Sequence, residues 1–418
     1  MLLIHNTSQV IQLTAEPQRG AELGTLNILP HGAVLIDGEH ILAVGEPAEL
    51  LLAHPEADLL DAGGKAVLPG LVDPHTHLVW AGDRVDEFEM RLQGKTYMEI
   101  MAAGGGIAAT LQATRSASFE ELLAQSRERA RTAFAHGTTT LEAKTGYGLD
   151  IETELRQLEV ILKLDEEGPL ELIPTYLGAH AIPPEFAGNA EGYTDFLCSE
   201  ALPAVQVWWQ EHAPARQLPF VDVFCEEGAF DLAQTRRILL RAQELGFPLK
   251  LHADEFANLG GASLAAELGA TSADHLVKTL AEDIHKLAES NTVAVSLPGT
   301  PFGLAQSEYT PARKIIAAGG LLALATDLNP GTSWNESMQF IQALACRTLK
   351  LTPAEALAAS TINAAAALGV DDRLGSLTPG KQADLIILKV PDYRMLSYRY
   401  GTNLVSTVIK KGVVYPLS

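Results

Sequence analysis

His75 and His77 stand two residues apart in PGLVDPHTH, and their spacing is the first feature of this 418-residue chain that could do chemistry. On an extended backbone, side chains two apart leave the same side, so both imidazoles can face one centre. Neutral imidazole nitrogens are good donors to a divalent metal. Groups of the same kind follow later apolar runs: His252 and Glu255 after LKL, His275 closing SADH, and Asp327 in LALATDLNPG. His180 follows another such run in YLGAH. Each has a bland reading taken alone. His-x-His can line a polar loop, His252 can be a core histidine, and Asp327 can cap the turn at Asn329-Pro330-Gly331. Only 12 histidines occur in the chain, and so many at the ends of apolar runs point to one metal site. Two clusters are set aside: Glu226-Glu227 reads as a solvated loop pair, and Trp208-Trp209 as helix packing.

Residues so far apart in sequence need a scaffold that gathers them. From residue 66 to 373, apolar β-rich runs alternate with helical stretches whose starts are well marked. Ser118 with Glu121 and Asp231 with Gln234 fit capping boxes, and Gly137 and Gly246 stand where those helices would stop. Thr352, Pro353 and Glu355 combine a cap, a first-turn proline and a capping glutamate. Between the helices the expected strands are Ala66–Val72, Thr138–Glu142, Glu171–Tyr176, Phe220–Phe224, Pro248–Leu251, Ser272–His275, Thr292–Ser296 and Leu321–Ala325. Strand–helix alternation implies parallel strands, and eight of them imply a closed (β/α)₈ TIM-type barrel. The C-terminal strand ends of a barrel share one face, where chemistry collects. An open doubly wound sheet is the alternative fold. Against it, no Gly-x-Gly-x-x-Gly follows an early strand, and Gly104-Gly105-Gly106 has the wrong spacing.

The chain ends read differently. Runs at Val34–Ile36 and His40–Val44 flank Asp37-Gly38, a strong hairpin signal. Leu385–Leu388 follows a turn at Pro379-Gly380, and Leu404–Ile409 is a last strand-like run. Residues 1–65 and 374–418 are therefore expected to build one small β-sandwich domain from both termini, beside a catalytic barrel of residues 66–373.

The net charge of −22 repels phosphate, which argues against nucleic-acid and anionic-membrane partners. Three scattered cysteines, Cys198, Cys225 and Cys346, fit a reducing compartment better than a disulfide framework. The N-terminus lacks the pattern of a secretory signal, and no apolar run is long enough for a membrane span. A cytoplasmic location is expected.

PGLVDPHTH, the histidines of the fifth and sixth strands, the aspartate of the eighth, and GKQADLIIL near the C-terminus together resemble the amidohydrolase superfamily. More narrowly, the chain resembles the imidazolonepropionase family of histidine degradation. The segments that carry this are DPHTHLVWAGDRVDEFEMRLQGKTYMEIMAAGGGI, EAKTGYGL, YLGAHAIPPE, LHADEF, SADHL, SLPGTPFGL and ATDLNPGTS. The resemblance implies one divalent metal, zinc or iron, held by His75, His77, His252 and Asp327. It places Arg84, Tyr147, His180, Asn329, Gly331 and Thr332 around the substrate, Glu255 beside the attacking water, and His275 near the developing charge. It also implies a homodimer. The fourth strand, VDVFCEEG, has no lysine that could be carbamylated to bridge two metals, which favours a single ion.

The reaction implied is attack of metal-activated water on the ring carbonyl of 4-imidazolone-5-propanoate, opening it to N-formimidoyl-L-glutamate. Asp327, Glu255 and His275 are the expected catalytic groups, with Asp327 accepting the water's proton and passing it to the leaving nitrogen. A substrate carboxylate needs a local cation in so acidic a protein. Arg84 is the first candidate, Lys144 a second, and an ion pair of Arg84 with Asp83, Asp86 or Glu87 the competing reading. Rival functions are a nucleobase deaminase on the same barrel, which shares the histidines and the aspartate, and a barrel that binds without catalysis.

Overall fold

The computed structural model describes residues 1–95, 99 and 104–417. Residues 96–98 and 100–103, including Tyr97 of the GKTYMEIMAAGGGI segment, lie outside the described residues. Five strands come first: β1 (Leu2–Ile11), β2 (Ile28–Pro30), β3 (Ala33–Asp37), β4 (His40–Gly45) and β5 (Asp58–Pro69). Eight more follow, alternating with helices: β6 (Leu71–Asp73), β7 (Thr138–Lys144), β8 (Glu171–Ala179), β9 (Phe220–Cys225), β10 (Lys250–Ala253), β11 (Ser272–His275), β12 (Val293–Ser296) and β13 (Leu322–Leu324). The chain closes with β14 (Leu385–Leu388), β15 (Val405–Lys410) and β16 (Val413–Pro416).

β6 to β13 pair in parallel in sequence order. Both faces of such strands are covered, which is why most of their residues are buried and many are apolar. The two edges meet beside His75, His77 and Asp327. Thr76 bridges Leu328 in parallel, the Asp327 amide donates to the His75 carbonyl at 3.1 Å, and the His77 amide donates to the Leu328 carbonyl at 2.9 Å. The Thr326 hydroxyl adds a 2.6 Å bond to Asp73. Barrel closure and placement of His75, His77 and Asp327 are thus one structural event.

The terminal strands form a separate eight-stranded sheet of order β16-β15-β14-β5-β1-β3-β4, with β2 beside β1. The Asp37-Gly38 hairpin forms with Asp37 opposite His40, and Gly38 takes the left-handed φ of 55°. The strand expected over 66–72 is in fact two strands. Val67 lies opposite Val10 and Ile387 in the terminal sheet, whereas Leu71 lies opposite Thr138 in the barrel. Gly70 makes the crossing, where a Cβ would stand 2.3 Å from the Thr139 hydroxyl. The apolar run continues through both strands because both are buried, so its pattern carries no mark of the change of sheet.

The helices of the barrel start at the expected caps. Ser118/Glu121, Asp231/Gln234 and Thr352/Glu355 each show both reciprocal bonds, and a cap of this kind contributes about 1 kcal/mol. Trp209 is fully buried on the helix Leu202–His212, and Trp208 stacks on His212, so this pair is helix packing. Among the described residues no helix is long and apolar enough to cross a membrane.

An ion cluster, buried at Lys410 and Asp384 and open at Arg373, joins the barrel to the terminal sheet. Glu171, at the start of β8, accepts from Lys410 of β15 at 2.9 Å and from Arg373 at 2.5 Å, and Asp384 takes Lys410 at 2.6 Å. Burial acts to raise the Glu171 carboxyl, but the Lys410 and Arg373 charges outweigh it and bring it down to about 2. A depressed carboxylate stabilises the fold above its unfolded pKa and ceases to do so as pH falls through the folded value. Glu171→Gln should therefore cost stability at neutral pH, by roughly 3 kcal/mol at most. Urea midpoints across an acid series should show that gap narrowing below about pH 4. An equal gap at about pH 7 and about pH 3 would contradict the assignment.

Candidate active site

The two imidazoles of the His-x-His pair face a common centre, with ring centroids 5.4 Å apart. Asp327 comes from the far edge of the barrel and sets Oδ1 at 3.4 Å from His75 Nε2 and 3.5 Å from His77 Nε2. His252, from β10, packs its ring 4.5 Å from that of His75, and His275, from the end of β11, lies 5.3 Å from it. Ligand atoms converge in three triads that share His75: one with His77 and Asp327, one with His252 and His275, and one with Glu142 and Asp274.

The tautomer of His75 decides what this cluster is built for. Its Nδ1 lies 2.6 Å from the Asp274 carboxylate, so the proton sits on that nitrogen. Nε2 is then a bare lone pair, and it faces another acceptor, Asp327 Oδ1. Two acceptors confronting each other in a dry interior are unfavourable unless a cation lies between them. The buried Nε2 atoms of His75, His252 and His275 have no hydrogen-bond partner, and neither has Nδ1 of His77 or of His252. Burial, the leading cause, holds His75, His77 and His275 below the usual imidazole range, which keeps them neutral. Neutral imidazoles with free nitrogens beside a carboxylate fit a divalent metal, and the donor set suits zinc or iron.

Backbone geometry at these positions is unusual. His275 has φ 76° and Asp327 φ 54°, in the left-handed region that side chains other than glycine avoid. Such conformations cost of order 1–3 kcal/mol each and cluster at functional sites. Here they aim the two side chains inward from the strand ends. The Thr300 hydroxyl donates to the second Asp327 oxygen and fixes its rotation.

Above the cluster opens a cavity of ≈ 770 Å³ whose wall includes His77, His180, His252, His275, Glu255 and Asp327. Arg84, Tyr147, Asn329 and Thr332 line it as well. His180 stacks on His77 with centroids 4.9 Å apart and donates from Nδ1 to the Gly146 carbonyl at 2.9 Å, leaving Nε2 to the cavity. Tyr147 packs against both rings, and its burial pushes the phenol well up, so it stays a neutral donor. Arg84 grips Glu87 through Nε and Nη2 at 2.8 and 2.6 Å. Among the described residues its Nη1 has no hydrogen-bond partner. A Cβ on Gly331 would sit 2.3 Å from that nitrogen, so glycine is what admits the guanidinium. Gly331 itself lines a neighbouring pocket of ≈ 580 Å³. The Asn329 amide is spent on its own loop, accepting from the Gly331 and Thr332 amides and donating to the Asp327 carbonyl. Its work is to shape that loop.

Some residues differ from expectation. Lys144 does not face the cavity; its Nζ is buried in the barrel, 2.9 Å from Glu142 and 2.7 Å from Asp222. It is therefore no neighbour for a substrate carboxylate. Glu226 is not a solvated partner of Glu227. It is buried, lines the cavity and accepts from the Phe256 and Ala257 amides at 2.9 and 3.3 Å, while Glu227 stays exposed. Those bonds tether the loop after His252, which bends at Asp254 with φ 56°. The bend brings Glu255 Oε2 to 3.6 Å from His275 Nδ1 and turns Asp254 away to the Thr279 hydroxyl. Burial, then the Asp327 and Glu226 charges, push the Glu255 carboxyl well above the usual range. Asp222 and Asp274, which orient the histidines, were not singled out in the sequence.

The bacterial imidazolonepropionase-like composite domain matches residues 32–57, and the amidohydrolase family matches residues 234–415. The imidazolonepropionase of Herpetosiphon aurantiacus is 52% identical over 99% of this chain and 96% of its own length. This chain belongs to the imidazolonepropionase family. A second member, from Chloroflexus aggregans, is 49% identical over 99% of this chain and 98% of its own. Among solved structures, a triazine hydrolase variant superposes with a TM-score of 0.76 at 17% identity, covering 99% of this chain and 94% of that one. A zinc-bound adenosine deaminase from Xanthomonas campestris gives 0.68 at 21% identity, covering 100% and 93%. At such identities the two structures establish a shared amidohydrolase fold, while the family members establish the kinship.

Proposed function

We propose that this chain hydrolyses the ring C–N bond of 4-imidazolone-5-propanoate to N-formimidoyl-L-glutamate, a step of histidine degradation. The observation that carries the reading is the near full-length likeness to imidazolonepropionases, at 52% identity over 99% of the chain. The site chemistry agrees with it. His75, His77, His252 and Asp327 would hold one divalent ion, zinc or iron. When bound, such an ion lowers the pKa of water from 15.7 toward about 7 and polarises a carbonyl.

The chain's own residues supply the remainder. Asp327 accepts the proton of the attacking water and delivers it to the ring nitrogen as the C–N bond breaks, so no proton is left over. Glu255 lies on the cavity wall, with Oε2 3.6 Å from His275 Nδ1. It holds the water against the carbonyl. His275 donates a hydrogen bond to the oxygen on which charge develops. Tyr147 and His180 close the ring pocket over His77 and keep bulk water out. Thr332 and the loop shaped by Asn329 and Gly331 form the opposite wall. Arg84, held rigid by Glu87, presents Nη1 to the propanoate. The reading includes a cytoplasmic homodimer, for which the family likeness and three free cysteines are the support.

Arg84→Ala should raise KM by roughly 10–100-fold, the loss of one charge-assisted bond, with a much smaller change in kcat. Steady-state kinetics check it, and an unchanged kcat/KM would remove Arg84 from the carboxylate site. The proposed reaction is tested by mass spectrometry of the product formed from freshly prepared imidazolone propanoate. Addition of one water with ring opening is expected. Ammonia release from a nucleobase panel, with no ring opening of the imidazolone, would overturn the reading in favour of a deaminase.

A further inference from the structure

TIM barrels usually fill their interior with layers of branched aliphatic side chains. This one has a charged floor directly under the histidines. Glu142 and Lys144 on β7, Asp222 on β9, Lys250 on β10 and Asp274 on β11 are all fully buried. Lys250 donates to Glu142 at 3.0 Å and to the Pro74 carbonyl at 2.7 Å. Lys144 has a different set of partners. Its Nζ lies 2.7 Å from Asp222 Oδ2, 2.9 Å from Glu142 and 3.8 Å from Asp274 Oδ2. The same Asp222 oxygen is 2.9 Å from His252 Nδ1, a close charge contact without hydrogen-bond alignment, and the same Asp274 oxygen is hydrogen-bonded to His75 Nδ1 at 2.6 Å.

One ammonium therefore joins two carboxylates, and each carboxylate meets one imidazole on its inner nitrogen. We propose that Lys144 is a positioning residue for the metal site, fixing the tautomer of His75 through Asp274 and the place of His252 through Asp222. The physical reason is charge balance in a dry interior. Two carboxylates that both approach imidazole nitrogens would repel one another and swing apart without a cation between them. Lys144 supplies that cation from below, so the outer nitrogens of both rings stay aimed at one point before any metal arrives. A cluster of His75, Glu142 and Asp274 has the spacing of a second metal site, but Lys144 and Lys250 already bring their ammonium groups against its carboxylates. This inference rests on the proposed metal site.

The test is the affinity of purified Lys144→Met protein for zinc, measured by competition with a chromogenic chelator beside wild type. Circular dichroism and thermal melting of the metal-free forms serve as the folding readout. Outer partners of metal-bound histidines typically contribute 10–100-fold in affinity, and a loss of that size in a folded variant is expected. Asp222→Asn, which keeps shape and volume, should lose a similar factor, and adding Lys144→Met to it should cost little more. That non-additivity is the signature a merely structural lysine would not give, and Asp222→Asn keeps the test available should Lys144→Met fail to fold. Zinc binding at wild-type affinity by folded Lys144→Met, by Asp222→Asn, or fully additive losses in the pair, would overturn the proposal. A wild-type protein that binds no divalent ion would instead overturn the metal reading itself, and this inference with it.

Discussion

Asp327→Ala is expected to abolish ring opening and to strip the metal in the same step. Asp327 has two assigned jobs, as ligand and as proton carrier, and its carboxylate faces both His75 and His77 within 3.5 Å. Loss of the proton carrier alone is worth roughly 10²–10⁴-fold in rate. Loss of the ligand compounds this by emptying the site. His252→Ala should lose metal too, while leaving the proton carrier in place. The check is metal content by atomic absorption alongside kcat. A metal-replete Asp327→Ala protein with wild-type turnover would remove Asp327 from both roles.

His275→Ala has a different expected signature. In the proposed mechanism His275 stabilises the developing negative charge and is not a ligand, so kcat should fall by roughly 10²–10³-fold with metal content unchanged. The geometry makes this a sharp test, because His275 also sits in one of the three triads around His75. Metal lost together with activity would place His275 in the coordination sphere. Metal retained with a large drop in kcat would keep it at the oxyanion.

The outer part of this site was legible in the sequence because polar residues interrupt apolar runs there. His75, His77, His252, His275 and Asp327 each end or follow such a run, and a barrel sends strand ends to one face. The eight-strand pattern was legible for a related reason, as buried parallel strands are largely apolar, although Glu142, Lys144, Asp222, Lys250 and Asp274 interrupt four of them. What lies beneath was harder to read. Glu142 and Lys144 are two apart, a spacing that places them on one side of a strand, but nothing local shows whether that side is solvent or barrel interior. Asp274 stands next to His275 and was overshadowed by it. Glu226 looked solvated because Glu227 beside it is; only the loop folding back from β10 buries one and leaves the other exposed. Arg84 was read both as a carboxylate clamp and as an ion-pair partner of Glu87. The geometry realises the ion pair through Nε and Nη2, and among the described residues only Nη1 stands outside it. Gly70 hides a change of sheet inside a continuous apolar run.

The most direct measurement is the loss of imidazolone ultraviolet absorbance when freshly made imidazolone propanoate meets the metal-replete protein. The substrate decays unaided, so the control is Asp327→Ala protein at the same concentration. Decay far faster than that control establishes the ring-opening reaction and ties it to Asp327 and its histidines. Equal decay in the two samples, with metal confirmed in the wild type, would contradict the assignment of imidazolone propanoate as the substrate.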